Sequence, residues 1–218
     1  MEYFIACCLI LASYLLGSIP FGYVIGKLKG KDLTKLGSGN IGSTNAIRTL
    51  GKKFGLLTAL LDVLKGAIII LLVYLLEATT KWNNPIIIRN ESIYILYGIP
   101  AAFGHCYSPF MYFKGGKAVA TSLGILISAI PYCSIVALVI FAITLLIWGY
   151  VSISSSLATI CVVISSFLIY GLIYNLWYTS LFTIILATLI LIKHIPNYKR
   201  LLNGTESNFK KKHAKSTN

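Results

Sequence analysis

The stretch GLLTALLDVLKGAIIILLVYLLE, residues 55–77, decides the fold class of this protein. It is almost entirely apolar, and as a helix with a rise of 1.5 Å per residue it is long enough to cross ~30 Å of hydrocarbon. Its two interior charges, Asp62 and Lys65, are three positions apart and therefore share one helical face. Because charges inside a membrane helix are costly and usually face other protein or a polar cavity, the stretch predicts a membrane helix packed into a bundle.

The rest of the 218-residue chain has the same apolar character. Hydrophobic residues make up 57% of it and charged residues 11%, which is too apolar for one soluble domain. A net charge of +13 by itself favours nucleic-acid binding. However, the Lys and Arg residues flank apolar segments, so positive-inside topology explains them and no nucleic-acid partner is expected. The five cysteines form no CxxC pair, which favours packing roles and no metal site.

We expect an all-α, polytopic membrane protein of about seven transmembrane helices, with the N-terminus outside and the C-terminus cytoplasmic. Pro20 is predicted to interrupt the first helix. The uncharged run 118–150 would be about 50 Å long as one helix, so Pro131 is expected to divide it. The predicted spans are residues 3–26, 55–77, 92–105, 118–130, 132–148, 157–174 and 178–192. The third is short, and whether it crosses alone is left open.

Charge supports this topology. Lys81 and Arg89 fall on the predicted external loop and Lys65 within a span, while all other Lys and Arg residues fall on the cytoplasmic side. The chain is predicted to be a single transmembrane domain, residues 1–218, whose residues 205–218 form a flexible basic tail.

Four polar islands interrupt the apolar sequence, and the topology places all of them on the cytoplasmic side. The first polar island is residues 37–48, GSGNIGSTNAIR. Its glycines allow positive φ and close approach of backbone N–H groups to an anion, and Arg48 supplies a planar, two-pronged charge. This inventory suits a phosphate, although a flexible loop containing a helix cap explains it equally well.

The second polar island, residues 105–117, ends in Lys114-Gly115-Gly116-Lys117 before an apolar helix. The backbone donors of the glycine pair and the positive end of the helix are expected to face an anion. It is not a nucleotide phosphate loop, because the G-x-x-x-x-G-K-[ST] spacing is absent. Two interfacial lysines beside a helix start are the simpler alternative.

The third polar island, residues 149–155, is predicted to be a bend, and the fourth is residues 193–200. In the fourth, His194 and Asn197 are expected to lie on one side of a turn, beside Lys199 and Arg200. A lone interfacial histidine is usually structural, but a histidine beside an amide, facing two anion-friendly loops, is a better candidate for a site.

Five ordered motifs resemble those of the bacterial acyl-phosphate-dependent glycerol-3-phosphate acyltransferases, an integral membrane family. The resemblance covers nearly the whole chain. The motifs are residues 14–23 (YLLGSIPFGY), 37–48, 62–66 (DVLKG), Gly104-His105 with 113–121 (FKGGKAVAT), and His194-Ile-Pro-Asn197 with Arg200 and 204–206 (GTE).

The resemblance implies an inner-membrane enzyme that moves a fatty acyl group from acyl phosphate to the sn-1 hydroxyl of glycerol 3-phosphate, giving lysophosphatidic acid and phosphate, the first step of phospholipid synthesis. Its substrates and membrane lipid would be its partners, with a functional link to the enzyme that makes acyl phosphate. It needs no cofactor.

Site residues follow motif by motif. The predicted catalytic residues are Ser38, Arg48, His194 and Asn197. The predicted substrate- and phosphate-binding residues are Gly37, Gly39, Asn40, Thr44, Asn45, Lys65, Lys114, Gly115, Gly116, Lys117, Ser152 and Ser155. Lys65 is included because it lies within reach of the first polar island, and Ser152 and Ser155 match only loosely. Asp62 and Glu206 are predicted to be structural, and no metal ligand is expected.

Three positions depart from the family pattern. Ser43 stands where alanine is usual and only adds a hydroxyl. Ala118 replaces a usual glycine, and we expect it to lie within the helix with a negative φ. Gly149 replaces a common arginine, which removes an anion contact from that bend.

Two alternative functions are also considered. An anion or organophosphate transporter would explain intramembrane charges and a basic face, but no internal repeat is visible and the islands lie on one side. An acyltransferase using acyl-CoA or acyl carrier protein usually has a His-x4-Asp motif, whereas Phe110, Lys199 and Asn218 follow the three histidines at that spacing.

Overall fold

The structure, a computed structural model, describes residues 1–80, 82–88 and 91–210 of the chain. The predicted external residues Lys81 and Arg89, and the tail from residue 211 onwards, lie outside the described residues. The chain divides into two compact units, Met1–Pro131 and Tyr132–Asn218.

Helices dominate both units. The first unit contains α1 (Glu2–Ser18), α2 (Phe21–Leu28), α3 (Ser43–Leu50), α4 (Lys52–Thr79), α5 (Ile95–Cys106), a 3-10 turn (Pro109–Met111) and α6 (Val119–Ala129). It also holds a two-residue antiparallel ladder between β1 (Ile87–Ile88) and β2 (Glu91–Ser92). From Pro131 the chain forms α7 (Pro131–Trp148), α8 (Val151–Ser166), a π-helical segment (Phe167–Ile173) and α9 (Trp177–Leu202).

Among the described residues, five helical stretches are long and apolar enough to cross a membrane, which agrees with a multi-pass protein. They are Glu2–Leu28, Lys52–Thr79, Pro131–Trp148, Val151–Ile173 and Trp177–Leu202. The predicted third and fourth spans correspond to α5 and α6, which have only 12 and 11 residues. The count of seven crossings and the orientation therefore stay predictions.

The predicted interruption near Pro20 is confirmed, because α1 ends at Ser18 and α2 begins at Phe21. Polar side chains bind the backbone carbonyls at this break. The Ser108 hydroxyl donates to the Ser18 carbonyl at 2.6 Å, and the Lys65 ammonium donates to the Ile19 carbonyl at 2.8 Å. Protein groups thus supply the hydrogen bonds that an interrupted membrane helix requires.

Small residues let α4 and α6 pack closely in the first unit. A Cβ added to Gly66 on α4 would collide with the Thr121 carbonyl, and one added to Gly124 on α6 would collide with the Val63 carbonyl. Membrane helices associate through such close backbone contact because lipid offers no hydrophobic driving force between them.

A buried hydrogen bond lies near the N-terminal end of α5. There the Tyr97 hydroxyl donates to the Asn84 amide oxygen at 2.6 Å.

In the second unit, hydroxyl groups link the helices that follow α7. The Ser156 and Tyr198 hydroxyls are 2.6 Å apart, and the Ser180 hydroxyl donates to the Ser166 carbonyl at 2.8 Å. The predicted division at Pro131 is confirmed, since α6 ends at Ala129 and α7 begins at Pro131.

Two predicted boundaries in this unit are wrong. The third polar island is mostly helical, because α8 already begins at Val151, and the fourth is helical throughout, because α9 continues to Leu202. Because of their polarity, the third island was predicted to be a bend and the fourth to lie beyond the last span, but the helices include these polar residues.

Candidate active site

Asn45 shapes the first polar island. Its side-chain oxygen accepts the Ser38 backbone N–H at 2.9 Å, and its side-chain nitrogen donates to the Leu36 and Asn40 carbonyls at 2.9 and 2.8 Å. The residue is 1% exposed, and these bonds use most of the hydrogen-bonding groups of its side-chain amide. The structure therefore places Asn45 as the residue that organises the loop, with its amide directed at backbone.

The loop around Asn45 requires glycine. Gly37 and Gly39 have φ of +60° and +71°, as their predicted role in a phosphate loop requires, and a Cβ at Gly37 would collide with the Asn45 side-chain oxygen. The Asn40 side chain accepts the Gly42 N–H at 2.8 Å and so begins the turn into α3.

The predicted ligands of this island lie at its surface and on α3. Ser38 is exposed on the loop, while Thr44 and Arg48 are half-buried. Because Thr44 and Arg48 are four residues apart on α3, they share a helical face.

In the second polar island, the glycine pair does not direct its amides as expected. The Gly116 N–H donates to the His105 carbonyl at 2.9 Å, and the Gly115 N–H donates to the Cys106 carbonyl at 3.1 Å. Both donors are thus engaged with the last turn of α5. The last carbonyls of a helix have no partner within the helix, and here the glycine pair folds back and binds them. The groups of this island suited to an anion are therefore the N-terminus of α6 and the two lysines. Lys114 is exposed and Lys117 half-buried.

Ala118 contradicts the expected negative φ. It is the N-cap of α6, with φ +59° and ψ 12°, and it is fully buried. Its carbonyl accepts the Ser122 N–H at 2.7 Å, so the helix begins here, but the chain turns into the helix through the left-handed region. A glycine would adopt this conformation without strain, whereas a Cβ adds about 1–2 kcal/mol.

Substituting Ala118 with valine is expected to destabilise the protein by at least about 2 kcal/mol, because a β-branched residue is added to a buried left-handed position. Ala118→Gly should be nearly neutral, since relief of the left-handed strain offsets loss of a buried methyl group worth about 0.8 kcal/mol. Thermal unfolding in detergent measures both. Ala120→Val, in the first turn of α6 and outside the left-handed region, is the control, and an equal loss in the two valine variants would contradict the special role of position 118.

Asp62 and Lys65 form a buried ion pair in α4. The Lys65 ammonium is 2.8 Å from an Asp62 carboxylate oxygen, and each side chain is 3% exposed. The same Asp62 oxygen lies 3.6 Å from Nδ1 of His105. Lys65 also donates to the Ile19 carbonyl, so its ammonium contacts two protein acceptors.

In the second unit, His194 and Asn197 are buried on one face of α9. His194 Nδ1 lies 2.8 Å from the Ile190 carbonyl. A carbonyl only accepts, so Nδ1 carries the proton in this contact and Nε2 carries the lone pair of the neutral ring.

Glu206 joins α8 and α9 in the second unit. Its carboxylate accepts hydrogen bonds from Asn197 at 2.7 Å, Ser152 at 3.0 Å and Arg200 at 2.8 Å. Burial alone would raise the pKa of Glu206, but these hydrogen bonds and the Arg200 charge outweigh it and hold the pKa below its ordinary value. The carboxylate therefore stays charged and fixes the segment after α9.

The low pKa of Glu206 gives a prediction for acid stability. A carboxyl with a depressed pKa stabilises the fold above its ordinary pKa of 4.5, and this contribution is lost as pH falls through the folded-state pKa. Glu206→Gln should lower stability by about 1–3 kcal/mol at pH 7 and flatten the loss of thermal stability below pH 4.5. The control is Asp32→Asn, which removes the partner of Lys27 in an exposed pair and should lower the melting temperature at pH 7 less than Glu206→Gln does. Equal melting temperatures for wild type and Glu206→Gln at pH 7 would contradict this role.

The surroundings of position 149 explain why it holds glycine. Its φ is +72°, and a Cβ would lie 2.5 Å from the Asn208 side-chain oxygen. The segment after α9 packs here, because the Phe209 N–H donates to the Gly149 carbonyl at 2.8 Å and the Asn208 amide donates to the Trp148 carbonyl at 2.9 Å. The predicted tail is thus hydrogen-bonded as far as Lys210. Ser152 and Ser155 are buried in the first turns of α8.

Sequence reasoning assigned no role to His105, Asn208 or Lys210. His105 is the first residue of the second polar island and belongs to the fourth motif, but neither signal indicated its contact with Asp62. The Lys210 ammonium donates to the Ile147 carbonyl at 2.9 Å, a contact that no sequence pattern indicates. Across the described ranges, no group of three or more His, Cys, Asp or Glu side chains is placed to hold a metal ion.

Comparison with known proteins gives a consistent result. A family described as glycerol-3-phosphate acyltransferase matches residues 7–204. A relative of the same description from Geotalea daltonii is 40% identical over 203 residues, which cover 93% of this chain and 97% of the relative.

Two crystal structures of PlsY (YgiH), an integral membrane glycerol 3-phosphate acyltransferase, are also similar. The glycerol 3-phosphate form has a TM-score of 0.80 and 37% identity, covering 94% of this chain and 95% of that one. The lysophosphatidic acid form has a TM-score of 0.77 and 37% identity, covering 93% and 94%.

Proposed function

Because the chain belongs to the glycerol-3-phosphate acyltransferase family, we propose that it transfers a fatty acyl group from acyl phosphate to the sn-1 hydroxyl of glycerol 3-phosphate. The acyl–phosphate C–O bond breaks, an ester bond forms, and inorganic phosphate leaves while the hydroxyl proton passes to a phosphate oxygen. Lysophosphatidic acid is the other product. The observation that carries this proposal is the ordered set of five motifs within a family match that spans residues 7–204.

The protein is a multi-pass membrane protein, and we place it in the bacterial cytoplasmic membrane with its active site on the cytoplasmic side. Basic residues concentrate around the polar islands, which supports this orientation. A cytoplasmic site also receives glycerol 3-phosphate from water and a fatty acyl phosphate from the membrane. A functional link to the enzyme that makes acyl phosphate follows, since its product is this enzyme's substrate.

In the first unit, Arg48 and Ser38 are proposed to bind one substrate phosphate. The guanidinium gives two parallel hydrogen bonds to phosphate oxygens, and the exposed Ser38 hydroxyl gives a third. Asn45 acts by holding the loop, with Gly37 and Gly39 providing its conformation. Asn40 and Thr44 border the same loop.

The second polar island is proposed to hold the other phosphate through Lys117, Lys114 and the N-terminus of α6. Gly115 and Gly116 contribute by shape, because their amides bind the end of α5. This division explains why cations outnumber carboxylates in the two islands, since two anionic substrates must lie side by side.

In the second unit, His194 and Asn197 are proposed to contact substrate, and Glu206 to hold Asn197 in place. Ser152 binds Glu206 as well, so its proposed role is support. Ser155 is retained as a binding residue on the resemblance alone.

Acyl phosphate is a mixed anhydride and is already activated, so transfer needs no acyl-enzyme intermediate. Positioning and neutralisation of charge suffice in this mechanism. A substrate phosphate oxygen takes the hydroxyl proton, and no strong protein base is required. In the competing mechanism, Nε2 of His194 is the general base. Trapping of a stable acyl-enzyme would contradict direct transfer.

His194 variants separate the two mechanisms. If a substrate phosphate takes the proton, His194→Gln, which keeps a polar group near the Nε2 position, should retain kcat within about tenfold. Removing a general base instead lowers kcat by about 10²–10⁴. His194→Asn keeps a donor for the Ile190 carbonyl and reports the cost of disturbing that contact. Steady-state kinetics and melting temperature are measured for both, and a collapse of kcat in a folded His194→Gln protein would establish the histidine as base.

The transporter is the other candidate, and one pair of assays separates it from the enzyme. For the enzyme, purified protein in detergent releases phosphate from palmitoyl phosphate only when glycerol 3-phosphate is present. For a transporter, glycerol 3-phosphate counterflow occurs in liposomes without any phosphate release. Counterflow alone would overturn the proposed function.

A further inference from the structure

We infer that Asp62, Lys65 and His105 are positioning residues, which seat the glycine pair of the second polar island against the break between α1 and α2. This inference rests on the proposed function for its kinetic consequence, while the seating itself is a property of the fold.

The chain of contacts begins at the helix break. Lys65 donates to the Ile19 carbonyl at 2.8 Å and pairs with Asp62 at 2.8 Å. Its ammonium also lies 5.6 Å from the centre of the Phe21 ring, at the start of α2. Lys65 therefore ties α4 to both sides of the break.

The chain continues from Asp62 to the glycine pair. The Asp62 oxygen that binds Lys65 is 3.6 Å from Nδ1 of His105, at the end of α5. On the other side of this ring, a Cβ added to Gly116 would overlap Nε2. The His105 carbonyl also accepts the Gly116 N–H. Both the ring and the backbone of His105 thus form the surface on which Gly116 lies.

Two hydrogen bonds brace the same loop against α1. The Ser108 hydroxyl donates to the Ser18 carbonyl at 2.6 Å, and the Tyr14 hydroxyl donates to the Tyr107 carbonyl at 2.8 Å. The second polar island is consequently fixed to the break from two directions, and any shift of His105 must move the start of α6.

The energetic cost of burying the two charges supports a role in positioning their neighbours. A buried ion pair is often no more stabilising than apolar residues of the same volume, because desolvation offsets the attraction. The specific contribution of Lys65 and Asp62 is to fix positions, because Lys65 binds the backbone at the helix break and Asp62 contacts His105. We therefore assign Lys65 to positioning, in place of the phosphate contact expected from its sequence position.

Hydrogen exchange tests the seating without requiring turnover. In His105→Ala and in Asp62→Asn/Lys65→Met, the amides of Gly115 and Gly116 should exchange at least about tenfold faster than in wild type. The double variant removes both charges together and so avoids an unpaired buried ion. Tyr97→Phe, which loses a buried hydrogen bond at the other end of α5, is the control and should leave these amides unchanged. Unchanged exchange in both variants, or an equal increase in Tyr97→Phe, would overturn the inference.

Kinetics then test the functional consequence. In the double variant, the KM for one phosphate substrate should rise about tenfold while the KM for the other and kcat stay within about threefold. If the role of these residues were only structural, the double variant would contain a smaller fraction of active protein, and only kcat would fall. Tyr97→Phe, the structural control, should lower kcat alone. A double variant with wild-type KM values for both substrates would contradict positioning. If wild type makes no lysophosphatidic acid, the proposed function fails, and the exchange result still decides whether the three residues seat the loop.

Discussion

Arg48→Ala is expected to lower kcat/KM by about 10²–10³ while the protein stays folded. The guanidinium is proposed to give paired hydrogen bonds to a substrate phosphate, and removal of one preorganised electrostatic contact in an active site typically costs about 2.7–4 kcal/mol of transition-state stabilisation. Arg48→Lys should recover only part of the loss, because an ammonium keeps the charge but not the two-pronged geometry. Initial rates with each substrate varied in turn provide the measurement.

The matched control for Arg48 is Lys35→Ala, which removes one positive charge from the exposed segment just before the first polar island. Long-range electrostatics would affect both variants similarly, whereas a direct contact affects only Arg48. The substrate whose KM rises in Arg48→Ala identifies the phosphate that this island binds. A value of kcat/KM within threefold of wild type would refute the proposed role of Arg48.

Gly115→Ala should have an effect of similar size for a different reason. A Cβ at this position would collide with the His105 carbonyl oxygen, which is backbone at the end of α5 and cannot turn aside. The loop must then leave its seat, and we expect at least about a hundredfold loss of activity, because small displacements of positioned groups cost about 10² in rate. Activity and melting temperature are measured together.

Gly116→Ala is the informative comparison, since its Cβ would meet the His105 ring instead of backbone. A ring is able to rotate, so this variant should be less impaired than Gly115→Ala, and adding His105→Ala should not worsen it further. Gly30→Ala, where a Cβ has open space but φ is +66°, measures the cost of an unfavourable φ alone, about 1 kcal/mol. If Gly115→Ala behaves like Gly30→Ala, the close contact does not control activity.

The sequence predicted the apolar helices and their interruptions well, because burial in lipid permits few alternatives to a helix. Pro20 and Pro131 mark real helix boundaries. Helix ends were less predictable. Ser152 was placed in a bend and Asn197 beyond the end of the last span, since both are polar, yet both lie within helices, where they bind Glu206.

Features that depend on tertiary contacts were not predictable. The amides of the glycine pair were predicted to face an anion, but their direction depends on where α5 ends, and they bind its last carbonyls. The φ of Ala118 depends on how the chain returns from that contact into α6. His105 lies in one of the five motifs, but its role could not be assigned from the sequence, because it arises from Asp62 on another helix.

The central claim, transfer from acyl phosphate to glycerol 3-phosphate, is tested most directly by a comparison of acyl donors. Purified protein in detergent is given glycerol 3-phosphate with either palmitoyl phosphate or palmitoyl-CoA, and lysophosphatidic acid is quantified. We predict lysophosphatidic acid and an equal amount of phosphate from palmitoyl phosphate, and none above background from palmitoyl-CoA. Product formed from palmitoyl-CoA but not from palmitoyl phosphate would contradict the proposed function.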